Sequence, residues 1–139
     1  MPASPVDIVQ ANSAAFSRRD ADAMLELFAP DAVVLDRRPV GFGEFRGQAA
    51  IRSYYQGLFD NIDALHERLE VAHAEGDTVV GAGHLRARLA GQPEGEEVTF
   101  DYALRVTVTG GLIASIEIYD DAEAATAASA DGAGDSASR

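Results

Sequence analysis

Three glycine-centred interruptions divide the second half of the chain: Glu75-Gly76-Asp77, Gly91-Gln92-Pro93-Glu94-Gly95 and Gly110-Gly111. Each sits between runs rich in β-branched and apolar residues, so each reads as a hairpin turn. The runs they bound are about Leu65 to Ala74, Thr78 to Leu89, Glu96 to Thr109 and Leu112 to Tyr119. Four strands joined this way form an antiparallel meander. The middle two exceed the usual strand length of roughly five or six residues, which implies strong curvature or bulges. A long bent sheet needs something to wrap around.

The first half supplies it. Val6, Val9, Ser13 and Phe16 recur at helical spacing behind Pro5, whose missing N–H costs nothing in a first turn, and this predicts a helix over Pro5 to Ser17. Asp20 can cap a second, short helix over Ala21 to Phe28, stopped before Pro30. Ala32-Val33-Val34-Leu35 suits a buried strand ending at Asp36, and a loop rich in Pro and Gly follows, Arg37 to Gly43. After Gly47 a third helix places Ile51, Tyr54, Tyr55, Leu58 and Phe59 on one side, a broad aromatic face. Three helices packed on the concave face of a strongly curved, mostly antiparallel sheet make an α+β cone whose open end is a pocket. With 139 residues, 47% of them hydrophobic, and six Phe and four Tyr, there is material for one core. A single domain over residues 1–121 is expected. The Ala-, Ser-, Gly- and Asp-rich segment 122–139 lacks large apolar residues, and a short helix followed by disorder is expected there.

Charge and composition exclude several classes. A net charge of −12 repels phosphate backbones and anionic lipid, so neither nucleic acid nor a membrane surface is an expected partner. No apolar run approaches the roughly 20 residues needed to cross a bilayer. Met1 to Asp7 shows no basic-then-apolar leader, and a cytoplasmic location is the expectation. The absence of cysteine removes disulfides, thiolate metal sites and cysteine nucleophiles. His66 and His73 lack metal-ligand company, so no metal and no cofactor is expected.

The run Leu27-Phe28-Ala29-Pro30-Asp31-Ala32-Val33-Val34-Leu35-Asp36, followed by Phe45-Arg46-Gly47-Gln48-Ala49-Ala50-Ile51-Arg52, resembles the nuclear transport factor 2-like superfamily. Within it, the likeness is to ketosteroid isomerases and SnoaL-like polyketide cyclases. Gly110-Gly111-Leu112-Ile113 through Ile118-Tyr119-Asp120 resembles that family's last hairpin, and the likeness spans about Val6 to Asp121. It implies the same cone fold, a small hydrophobic molecule as ligand, and a homodimer through the convex face of the sheet, around Val79, Thr99 and Arg105. It fixes no activity, because one fold hosts many chemistries.

The resemblance also nominates residues. Phe28 to Asp36 reproduces the spacing that ends in the isomerase base, so Asp36 is the candidate for abstracting a proton beside a carbonyl. Its alternative reading is a turn starter paired with Arg37 or Arg38. An enolate oxygen needs donors, and the first-helix position of the isomerase Tyr is Asn12. The second isomerase donor maps to Asp101. Alternation in the strand opposes this, because Val98, Phe100, Tyr102, Leu104, Val106 and Val108 form the apolar face and put Tyr102 inward unless a bulge intervenes. Tyr54 and Tyr55 occupy the place of an aromatic pair on the third helix, as donors or as core. Phe16, Phe59, Phe100, Leu104, Ile116 and Ile118 complete the expected substrate-binding wall. His84, Arg86 and Arg88 share a strand face opposite Leu85, Ala87 and Leu89, and are expected outside the cone against a partner subunit or acidic residues; in a polar pocket the same triplet would bind an anionic ligand. Glu67 and Glu70 lie near where epoxide hydrolases of this superfamily carry an acid that works with the strand-end Asp; ordinary solvated charge on a strand edge explains them equally well.

Three functions remain open on the sequence. The first is an isomerase or cyclase using Asp36 on an enolisable hydrophobic carbonyl compound. The second is a non-catalytic ligand-binding or dimerisation module. The third is epoxide opening by a carboxylate pair, which an inward-facing Glu67 would favour.

Overall fold

In the computed structural model, residues 4–39, 43–92 and 97–127 are described. Helix α1 (Pro5–Ser17) opens with a capping box in which the Ser4 side chain accepts from the Asp7 N–H and Asp7 accepts from the Ser4 N–H. Helix α2 (Ala21–Glu26) is capped by Asp20 as expected, but ends two residues early. Phe28 belongs instead to strand β1 (Phe28–Asp36), because the Leu27 carbonyl accepts from the Ile113 N–H and draws the chain into the sheet. The chain then runs through β2 (Gly43–Arg46), α3 (Gly47–Asp60), β3 (Ile62–Glu75), β4 (Thr78–Leu89), β5 (Val98–Thr109) and β6 (Leu112–Tyr119). A short helix, α4, covers residues 122–127. The rest of the expected tail, residues 40–42 of the Pro- and Gly-rich loop, and Glu96 at the expected start of β5 lie outside the described residues.

The six strands form one sheet in the order β2-β1-β6-β5-β4-β3. From β3 to β6 it is the antiparallel meander that the glycine turns predict. Two features go beyond the meander. Strand β1 adds parallel to β6, and β2, within which the expected loop's last residue Gly43 falls, pairs antiparallel with β1 at the edge. Pro30 is accommodated because β1 and β6 fall out of step: from Phe28 to Val33 β1 advances five residues while β6 advances two, from Ile113 to Ser115. The proline's missing donor falls in this irregular stretch, where no ladder bond is required.

Bulges occur in β3, at Ile62/Ala64 and Val71/His73, and between β5 and β6 at Thr107/Val108. The pairing of β5 with β4 runs without a shift from Val98 to Thr107, so alternation along β5 holds where the site residues lie. Tyr102, Leu104, Val106 and Val108 face the helices in the main core, with Val79 of β4 and Ile113, Ile116 and Ile118 of β6. Val79 is therefore a core residue and not part of the outer face, where Thr99 and Arg105 do sit. Behind the sheet, Ala125 and Ala122 of α4 cover Val80 and Ala103. Among the described residues no helix is long and apolar enough to cross a membrane.

Candidate functional site

Helix α1 turns Ile8, Val9, Asn12, Ser13, Ala15 and Phe16 toward the sheet, a buried face that is apolar except at two adjacent positions. Burying an amide and a hydroxyl there is costly unless each finds a partner. Ser13 has one: its Oγ donates to Glu67 Oε1 over 2.6 Å. Glu67 is itself an acid on the inward face of β3, between Leu65 and Leu69, where alternation calls for an apolar residue. Its other carboxyl oxygen, Oε2, accepts from the Tyr102 hydroxyl. Its backbone is strapped to the same helix, since the Glu67 N–H donates to Ser17 Oγ at 2.9 Å.

These groups stand on the wall of a cavity of about 280 Å³. Its wall is otherwise mainly apolar or aromatic, including Phe16, Tyr54, Tyr55, Leu85, Phe100 and Leu104. Glu67 is 8% exposed, and burial pushes its carboxyl up to about 7, partly offset by the Ser13 hydrogen bond. At neutral pH it is therefore divided between acid and base. Burial also raises the Tyr55 phenol well above its ordinary value and moves Tyr54 up to about 12, the Asp36 charge adding to the latter, so both phenols remain protonated.

Tyr102 owes its place to a glycine. Its ring lies on Gly83, its partner on β4, where an added Cβ would come within 2.6 Å of Tyr102 Cε2 and 2.8 Å of Cζ. Only a residue without a side chain leaves room for the phenol to reach across to Glu67.

The expected site residues divide. Asn12, Phe16, Tyr54, Tyr55, Phe100, Tyr102, Leu104 and Ile118 line the cavity. Asp101 does not: it points to the opposite face, exposed, with His84 Nδ1 2.9 Å from its Oδ1, because unbroken alternation from Tyr102 puts it there. Phe59 and Ile116 are buried in the core behind the wall, Phe59 against Phe16 and Tyr55. Asp36 lies beside the cavity without lining it, and its enclosed carboxylate is gripped by Arg38, with Nε to Oδ1 at 2.9 Å and Nη2 to Oδ2 at 2.7 Å. The Arg38 N–H also donates to Oδ1 at 3.2 Å. The alternative reading of Asp36, a turn starter paired with arginine, describes this geometry, and Arg38 is the residue that reaches the cavity wall. Leu85, Ala87 and Leu89 face the cavity, which leaves His84, Arg86 and Arg88 outside. Sequence reasoning missed Ser13 and Gly83, and named Arg38 only as a partner of Asp36 and not as part of the cavity wall. Polar Ser13 within an apolar helical stripe was the available signal for the first.

The sequence pattern of the SnoaL-like domain matches residues 9–116. The chain belongs to the SnoaL-like domain family. Solved SnoaL-like and related structures superpose over most of it. A protein with a ketosteroid isomerase-like fold from Catenulispora acidiphila, solved with trimethylamine, has a TM-score of 0.72 at 24% identity, over 84% of this chain and 86% of that one. The polyketide cyclase-like protein SMa1630 of Sinorhizobium meliloti is 28% identical over 81% and 93%, with a TM-score of 0.64. SalBIII, an epoxide hydrolase/cyclase-like enzyme of pyran ring formation in salinomycin, has a TM-score of 0.70 at 22% identity over 83% and 88%. These likenesses establish the SnoaL-like cone. No curated protein matches the sequence.

Proposed function

We propose that this SnoaL-like chain is an enzyme performing general acid–base chemistry on a mainly apolar carbonyl or epoxide compound, with Glu67 as the proton-transfer group. The observation that carries this reading is a buried carboxyl poised near neutrality on the wall of an apolar cavity. A group with that acidity exchanges protons in either direction at physiological pH. Tyr102 and Ser13 hydrogen-bond its two oxygens and hold it in one orientation. A pure binding module needs no such convergence of polar groups in an apolar pocket.

Asp36 takes a different part from the one its spacing suggests. Locked under Arg38, it holds that guanidinium against the cavity wall, where the cation can stabilise developing negative charge on an oxygen. Cyclase and epoxide hydrolase-like relatives on the same fold are compatible with this chemistry. Homodimerisation through the outer face of the sheet, around Thr99 and Arg105, belongs to the same reading.

The test follows α-proton exchange of enolisable ketones in deuterated water, and ring opening of apolar epoxides, by NMR. Glu67→Gln is expected to reduce the rate by about a hundredfold or more, the usual contribution of a positioned acid or base. The wild-type rate should turn over with an apparent pKa near 7. Asp36→Asn abolishing turnover while Glu67→Gln retains it would return the base to Asp36 and overturn this assignment.

A further inference from the structure

Tyr55 of α3 and Asn12 of α1 both line the cavity, and each is 6% exposed. Among the described residues neither the Tyr55 hydroxyl nor the Asn12 amide nitrogen has a hydrogen-bond partner. The amide oxygen, Oδ1, is walled in, so the nitrogen is the end of Asn12 that opens on the cavity. That nitrogen only donates. The phenol keeps its proton to donate, because burial and then the neighbouring Tyr54 and Glu67 oppose its ionisation. The two donors stand together. Asn12 and Phe16 are one turn apart on the same face of α1, and the Tyr55 ring meets Phe16 edge-on with centroids 5.9 Å apart. Asn12 also precedes Ser13, whose hydroxyl holds Glu67. The wall offers few acceptors in return, since each Glu67 oxygen already accepts, one from Ser13 and one from Tyr102, and the Arg38 guanidinium carries donors only.

We propose that Tyr55 Oη and Asn12 Nδ2 together receive one acceptor oxygen of the bound compound, a carbonyl or epoxide oxygen, and that this oxygen lies beside Glu67. The inference deepens the preceding reading and rests on the same cavity being the functional site. A hydrocarbon of the same shape displaces water from both donors and gives them nothing back, which costs binding. A carbonyl or epoxide oxygen has two lone pairs and can take both. The Tyr55 ring is fixed before any ligand arrives, packed against Phe16, Phe28 and Phe59. Donors set in place that way need no reorganisation when negative charge grows on the oxygen they hold.

The experiment compares 2-tetralone with tetralin, the same bicycle without the oxygen, by calorimetry and ligand-observed NMR at pH 6, with the ketone isotope-labelled at its carbonyl carbon. Tyr55→Phe and Asn12→Ala, neither of which can overpack the site, should each weaken 2-tetralone by about fivefold, the usual worth of one hydrogen bond, and should not weaken tetralin. The bound carbonyl carbon should resonate further downfield in the wild type than in either variant. Circular dichroism establishes that each variant is folded. An equal loss for tetralin, a carbonyl resonance that neither substitution moves, or a wild type that does not bind 2-tetralone overturns the proposal. The readout is binding without turnover, so the pattern can hold even where Glu67→Gln leaves turnover intact, and it can fail where Glu67→Gln abolishes turnover. The two readings therefore stand or fall separately.

Discussion

Glu67 is stabilised in its neutral form by the fold, and this has a thermodynamic consequence. Its carboxyl rises from 4.5 to about 7 on folding, so between those values the native state binds more protons than the unfolded state. Stability from this group is therefore complete below about pH 4.5 and is lost as pH rises through about 7. The full swing is about 3 kcal/mol at the conversion of roughly 1.4 kcal/mol per pH unit. Urea denaturation of wild type and Glu67→Gln at pH 5, 6, 7 and 8 should show the wild type losing stability relative to the variant across that range; parallel curves would refute the shift. Gly83 offers a second check. Gly83→Ala should displace the Tyr102 ring from Glu67 and lower stability by about 1 to 3 kcal/mol, the usual cost of overpacking. Tyr102→Phe/Gly83→Ala should not lose turnover beyond Tyr102→Phe if the glycine acts through the phenol. At this scale the sequence was only partly legible. The inward placement of Tyr102 follows from strand alternation, whereas the match of Phe28 to Asp36 with a catalytic spacing could not reveal that Arg38 folds back onto the carboxylate.

The elements explain why the site is rigid. Helix α1 is tied to β3 through Ser13 and Ser17, both converging on Glu67, so the acid is held by side chain and backbone together. Strand β6 is central, with β1 parallel on one side and β5 antiparallel on the other. Its Ile116 is 1% exposed in the main core. Ile116→Ala should cost about 2 to 5 kcal/mol, as truncations in packed cores do, read from denaturant midpoints. The hairpin strands, the long helices and the Asp20 cap were legible because their signals are local: glycine turns, apolar periodicity and Asp before a helix. The parallel β1–β6 pairing was not, since its partners stand some 80 positions apart and no turn chemistry announces them. The early end of α2 has the same cause, a bond from Ile113 that only the assembled sheet provides.

At the scale of the molecule, α4 lies on the outside of the sheet and Ala125 is fully enclosed against Val80 and Ala103. Part of the surface through which a partner copy is proposed to dock is thus already covered by the chain itself. Ending the chain at Asp121 should expose those side chains and cost about 1 kcal/mol, the burial of one or two methylene equivalents. Equilibrium denaturation measures the cost, and light scattering would show whether the uncovered face changes self-association. The net charge of −12 adds a general term: self-repulsion weakens as salt screens it, so stability should rise between low and physiological ionic strength. Composition and periodicity by themselves determined the α+β class, the curved meander and the inward face of β5, because each follows from neighbours in the chain. The site was decided by tertiary structure. Ser13, Glu67, Gly83 and Tyr102 come from four different elements, and the burial that moves Glu67 toward neutrality exists only once helix and sheet have closed around it.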